Sequence, residues 1–231
     1  MSKKILAGII AGVISLSLIG CGKEANEDVT KSKSISEDQK KYKDLVDGEW
    51  SENINAETLQ DKFNDLFSKV ENKTKEYGLE YSKEQDKITE DNDGEAVKET
   101  YIYLDQENPE VNRLESLYIG LKLYGTSEDR GQIIMKTSLN IDGSEILKTG
   151  EIKFQDTSLA SYAEIFTGIS NRDYSDINKK IVEVLKSDSG EGVITDSVNG
   201  LYEEFTITKD YIVYTLETKE YDLKQAEENM N

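Results

Sequence analysis

Histidine is absent from this 231-residue chain and cysteine occurs once. Those two shortages remove whole classes of chemistry. Without an imidazole, neither a Ser–His–Asp nor a Cys–His nucleophilic arrangement can be assembled. Zinc sites built from histidine and cysteine are excluded for the same reason. The glycine spacings that cradle phosphates are missing too: neither Gly-x-Gly-x-x-Gly nor the P-loop pattern occurs. Proline occurs once, and arginine only as Arg113, Arg130 and Arg172, so nearly every basic residue is lysine. Positive charge is itself scarce, with Lys+Arg 28 against Asp+Glu 47 and a net charge of −19. Nucleic acid and anionic lipid headgroups are polyanions, so this balance argues against either as a partner. It suits a soluble exported domain, a cation-rich environment or a basic partner. The chemistry left open is that of carboxylates, lysine, serine and tyrosine.

What is present begins with Lys3 and Lys4, followed by an unbroken apolar-plus-small run from Ile5 to Gly20. That is the layout of a secretory signal peptide, too short and wrongly flanked for a lasting membrane span. Leu18-Ile19-Gly20-Cys21 closes the run with the single cysteine. This stretch resembles the lipobox of bacterial lipoproteins, and the resemblance covers residues 1–21 alone. It implies lipidation at Cys21, where the sulfur takes a diacylglycerol thioether and the cysteine becomes the new N-terminus. One acyl chain holds a protein marginally and two hold it stably, at about 0.8 kcal/mol per buried CH₂. The expected location is therefore the extracytoplasmic face of a bacterial cell membrane, with the chain lipid-anchored. The lysine-rich, proline-poor composition points to AT-rich coding, as in many Gram-positive bacteria. Removing residues 1–20 takes away Lys3 and Lys4 and leaves 26 basic against 47 acidic residues, a net −21.

Four segments follow from the patterning: a signal peptide (1–20), a lipidated cysteine with a flexible tether (21–44), one domain (45–219) and a C-terminal tail (220–231). The tether is too polar to fold and as a coil spans roughly 25 Å. Asn55 predicts a helix N-cap, with Leu59, Phe63, Leu66, Phe67 and Val70 on one stripe and Gly78 as the stop. Period-two alternation then predicts strands over 79–88 and 97–104, joined by a turn at Asn92-Asp93-Gly94, and a clean apolar face at Leu117, Ile119, Leu121 and Leu123. Asp142-Gly143 reads as a hairpin returning through Ile146, Ile152 and Phe154. Asp156-Thr157-Ser158 caps a short helix, a second starts near Tyr174, and residues 201–207 and 211–218 form a last hairpin. The predicted class is α+β: an antiparallel β-meander of about five strands plus a C-terminal hairpin, packed against one N-terminal and two later helices.

Three constellations are candidates for function. Asp105, Glu107 and Glu110 lie at the end of a predicted strand and are the nominees for paired-carboxylate glycoside cleavage, which needs two carboxyls roughly 5 to 9.5 Å apart. Asp91-Asn92-Asp93-Gly94-Glu95 invites comparison with a calcium loop, but alignment on Gly94 puts Thr89 and Thr100 at the two end ligands, so a tight turn explains it without a metal. Thirteen tyrosines against five phenylalanines is the most suggestive feature. Tyr101, Tyr103, Tyr118, Tyr124, Tyr202, Tyr211 and Tyr214 all fall on predicted strands. On one solvated sheet face they would offer the rigid, amphipathic area enriched at interfaces; scattered over both faces they would not. The sequence thus predicts a lipid-anchored, non-enzymatic ligand- or protein-binding domain with no cofactor or metal. Its partners are the membrane through the lipid, and an envelope protein or small ligand. The alternatives are an exported carboxylate-dependent glycan hydrolase and a structural or exclusion protein at the membrane surface.

Overall fold

Asn55 opens the first helix as expected: its Oδ1 accepts from the Thr58 N–H at 2.8 Å, and α1 runs Ala56–Glu76. In the computed structural model the described residues are 41–224, apart from Asn108 and Asn112. The described residues all belong to one compact unit, Ser36–Asn231; the lipobox and Cys21 lie outside the described residues. Glu57 stands at the positive end of the α1 dipole and Lys73 and Lys75 at the negative end. Leu59, Phe63, Leu66, Val70 and Thr74 are its buried stripe.

Four strands follow as an antiparallel meander: β1 Ser82–Glu90, β2 Ala96–Asp105, β3 Leu114–Tyr124 and β4 Arg130–Asn140. Three helices then intervene, α2 Gly143–Thr149, α3 Ser158–Thr167 and α4 Ser175–Lys186. A second antiparallel set completes the sheet: β5 Gly192–Val198, β6 Leu201–Ile207, β7 Tyr211–Glu217 and the short β8 Tyr221–Asp222. The spatial order is β1-β2-β3-β4-β7-β6-β5, with β8 pairing β4 beyond β7. The two sets join where β4 pairs β7. The fold is α+β, with a meander and helices packed on the sheet.

One face carries the core. Helix α1 packs on β2, β3 and β4, α3 on β4 and β7, and α4 on β5 and β6. Beneath them lie Ile102, Ile119, Ile133, Met135, Leu139, Phe205, Ile212 and Tyr214, each fully buried. The two edges of the sheet differ. Strand β1 carries five charged residues in nine, is exposed at nearly every position, and is broken by a bulge between Glu84 and Lys87 where Asp86 sits at φ 51°. These are devices that blunt an edge. Strand β5 pairs in continuous register with β6 and carries no lysine, proline or bulge.

Three expectations are corrected. Asp142-Gly143 starts a helix, not a hairpin: Asp142 Oδ1 accepts from the Glu145 N–H at 3.0 Å, an Asp-x-x-Glu N-terminus. Gly143 is there because a Cβ would stand 2.5 Å from the Lys209 carbonyl oxygen, to which its own N–H donates. The first meander therefore has four strands, and Phe154 enters the core from a 3₁₀ turn. Strand β5 has no clear signal in the sequence, because Asp196 interrupts the apolar alternation of Ile194 and Val198. Ordered structure also continues past Lys219. Tyr221 and Leu223 are buried, and the Tyr221 hydroxyl donates to the Trp50 carbonyl at 2.7 Å.

Candidate functional site

Strand register decides where the tyrosines go. Tyr101 pairs with Gly120, Tyr103 with Tyr118, and Val97 with Tyr124, so Tyr101, Tyr103, Tyr118 and Tyr124 share the face opposite the helices. Tyr211 pairs with Asn140, and Tyr202 with Glu217, on that same face. Six of the eight strand tyrosines therefore stand on one half-exposed side of the sheet. Tyr221 of β8 turns inward. So does Tyr214. It is fully buried in the core, stacked on Phe205 at 4.5 Å between ring centroids.

On β2 and β3 the rings make a continuous patch. Tyr101 and Tyr118 lie 5.5 Å apart, tilted by 34°. The Tyr118 ring folds back over Gly120, whose missing side chain leaves the room: a Cβ there would meet the Tyr118 Oη at 2.3 Å. Among the described residues, the buried Tyr118 hydroxyl has no hydrogen-bond partner. Lys87 Nζ donates to the Tyr101 hydroxyl at 3.1 Å, and Tyr103 donates to Asp105 at 3.1 Å. Two of the cations beside the patch are ion-paired: Lys122 with Glu99 at 3.1 Å, and Arg130 with Glu95 and Glu220 at 2.5 and 2.6 Å. The Arg130 guanidinium also lies over the Tyr124 ring, 5.5 Å from its centre.

Burial holds the Tyr118 and Tyr124 phenols well above the usual tyrosine range, with Glu99 adding to it at Tyr118 and Glu220 at Tyr124. Tyr202 is raised in the same way by burial and then by its bond to Glu204. These phenols stay protonated at neutral pH and offer hydroxyl hydrogen bonds and ring faces. The face is thus equipped for recognition by stacking and neutral hydrogen bonding.

At the β4/β7/β6 end, a strap of residues 41–46 reaches this face. Lys41 Nζ lies 2.6 Å from Glu217 Oε1, and Gln132 Nε2 donates to the Tyr42 hydroxyl at 2.7 Å. Gln132 and Glu217 are each 6% exposed. Nothing local in the sequence marks this cluster, because Lys41 and Glu217 are 176 residues apart.

The nominated acids fare differently. Asp105 accepts from Tyr103, Glu110 faces Arg113 at 3.8 Å with its side chain 84% exposed, and Glu107 is exposed. The two buried carboxylates of the described residues are Glu203 and Glu217, and register puts them on opposite faces of the sheet, so they cannot flank one glycosidic bond. Asp91 Oδ1 accepts from the Asp93 and Glu95 N–H groups at 2.9 and 2.8 Å, so that carboxylate closes the turn read from the sequence. On the helix side, a cleft of about 430 Å³ lies between the end of β4, α2 and the 3₁₀ turn, with Leu139, Ile146 and Ile152 below Asp142, Glu151 and Asp156. No group of metal-ligating residues occurs among the described residues. Comparison with protein-family models, with curated proteins and with solved structures finds no match to this chain.

Proposed function

We propose that this protein is a lipid-anchored extracytoplasmic lipoprotein whose domain is a non-enzymatic binding module. Its contact surface in this reading is the tyrosine-bearing face of the sheet, and its partner is an envelope protein. The observation that carries it is the placement of Tyr101, Tyr103, Tyr118, Tyr124, Tyr202 and Tyr211 on one face while Tyr214 and Tyr221 turn inward. Tyrosine is enriched at interfaces because it presents large rigid area with a polar tip. Ile134 and Val213 are half-buried on the same face between the two tyrosine groups, giving it an apolar middle. The anchor rests on the lipobox resemblance at Cys21.

Two measurements test this. A photo-crosslinking residue at Tyr103 should form a discrete adduct on intact cells, and the same residue at Leu147 on the helix side should not. Equal yields at both positions, or none at Tyr103, refute the face. For the anchor, Cys21→Ser should abolish labelling by a fatty-acid probe, and persistent labelling refutes it.

A further inference from the structure

The contact between the strap and the sheet has the form of a ligand in a receptor. The receptor side is rigid, since Gln132, Glu217 and Tyr202 come from the paired strands β4, β7 and β6. The ligand side is Lys41 and Tyr42. The Lys41 ammonium sits on Glu217 Oε1 and 5.2 Å over the Tyr202 ring. The Tyr42 ring meets Tyr202 edge-on at 6.2 Å, and its hydroxyl accepts from Gln132. Gln132 is held in place by donating also to the Thr218 carbonyl at 2.8 Å and by accepting from the Tyr124 hydroxyl at 3.3 Å.

The chain that follows is weakly held. Lys43, Asp44, Val46 and Asp47 are exposed, and the bond from this stretch is Val46 N–H to Ser197 Oγ at 3.1 Å. Few buried contacts next to a rigid partner is the profile of a segment that opens locally at low free energy. A carboxylate, an aromatic ring and a carboxamide converge on one ammonium and one phenol, a combination that recognises a specific side-chain pair.

We propose that Glu217, Gln132 and Tyr202 form a subsite for a lysine–aromatic segment of a partner protein, which Lys41–Tyr42 fills from within the chain as a competitor. The proposal rests on the reading of the tyrosine face as the contact surface and extends it to the chemistry of the partner, a basic, aromatic peptide segment. The chain's net charge of −19 complements such a segment. Opening of the strap then precedes binding. A site free for only about a tenth of the time or less shows an apparent affinity reduced by on the order of tenfold or more.

The test titrates the full-length protein in detergent micelles with an acetylated, amidated Lys-Tyr dipeptide, followed by saturation-transfer NMR. The double variant Lys41→Ala/Tyr42→Ala should bind it on the order of tenfold more tightly than wild type. Adding Glu217→Gln should remove the binding, and a Glu-Tyr dipeptide should not bind. Thermal unfolding of the variants confirms that they fold. If the double variant does not, Lys41→Gln alone should still gain affinity, with Tyr42 left in place. A folded variant that binds no more tightly than wild type overturns the subsite, as does binding that survives Glu217→Gln. Either result leaves the crosslinking at Tyr103 unaffected, so failure of the subsite and failure of the face are separable.

Discussion

Replacing Arg172 with methionine strands a charge inside the core. The Glu203 side chain is 0% exposed, and Arg172, at 16%, grips it with two nitrogens at 2.5 and 2.7 Å. The remaining donor is the Tyr214 hydroxyl at 2.6 Å. A buried carboxylate stripped of its counter-ion costs about 3–5 kcal/mol. For a domain of this size, each kcal/mol moves the melting temperature by about 2–4 °C, so Arg172→Met should lower it by roughly 6–20 °C. Trp50, the single tryptophan and 3% exposed, reports unfolding by fluorescence in urea. Converting Glu203 to methionine as well removes the stranded charge but leaves the Tyr214 hydroxyl unpartnered, a residual cost of about 1–3 kcal/mol. Tyr214→Phe in that background should then recover most of the remainder. A single Arg172→Met variant within about 1 kcal/mol of wild type at pH 7 would refute the reasoning, since it would mean that the buried Glu203 side chain does not depend on Arg172.

Other perturbations are read in the same assay. Tyr118→Phe deletes an unpartnered hydroxyl and should leave stability unchanged or raise it, whereas Gly120→Ala drives a methyl group into the Tyr118 ring and should cost about 1–3 kcal/mol. Phe63→Ala empties a site 1% exposed under α1 and should cost about 3–5 kcal/mol; an unchanged urea midpoint would contradict the burial. The Glu71 carboxyl is held down to about 2 by the Tyr81 hydroxyl and then by Lys83 and Lys75. A depressed carboxyl stabilises the fold above its unfolded value of 4.5, and the contribution disappears as the pH falls toward 2. Glu71→Gln should therefore be less stable than wild type at pH 6, and the urea midpoints should converge near pH 2; a constant gap would refute the assignment.

Some of this architecture could be read directly and some could not, for identifiable reasons. The α1 stripe and its Asn55 cap are local signals, and both hold. Period-two parity also carries information about the tyrosine face. Tyr101 with Tyr103, and Tyr118 with Tyr124, are spaced by even numbers and must share a side in a regular strand. Tyr211 and Tyr214 are three apart and must oppose each other. Parity cannot say which side the helices take; that depends on the pairing of β4 with β7. Asp142-Gly143 misleads because Asp-Gly serves two purposes, and the deciding contact is with Lys209, far along the chain. Lys41 with Glu217 and Arg172 with Glu203 are likewise tertiary events with no local trace.

The unequal edges of the sheet limit how copies of this domain can stack. Growth into a fibre needs two adhesive edges on every copy, so that each addition leaves a fresh one behind. Here β1, with its bulge at Asp86 and its string of charges, is capped against pairing. Any edge-to-edge pairing must use β5 on both molecules and consumes the open edge of each. The assembly closes at two. A one-ended sheet of this kind limits edge-to-edge association to a pair.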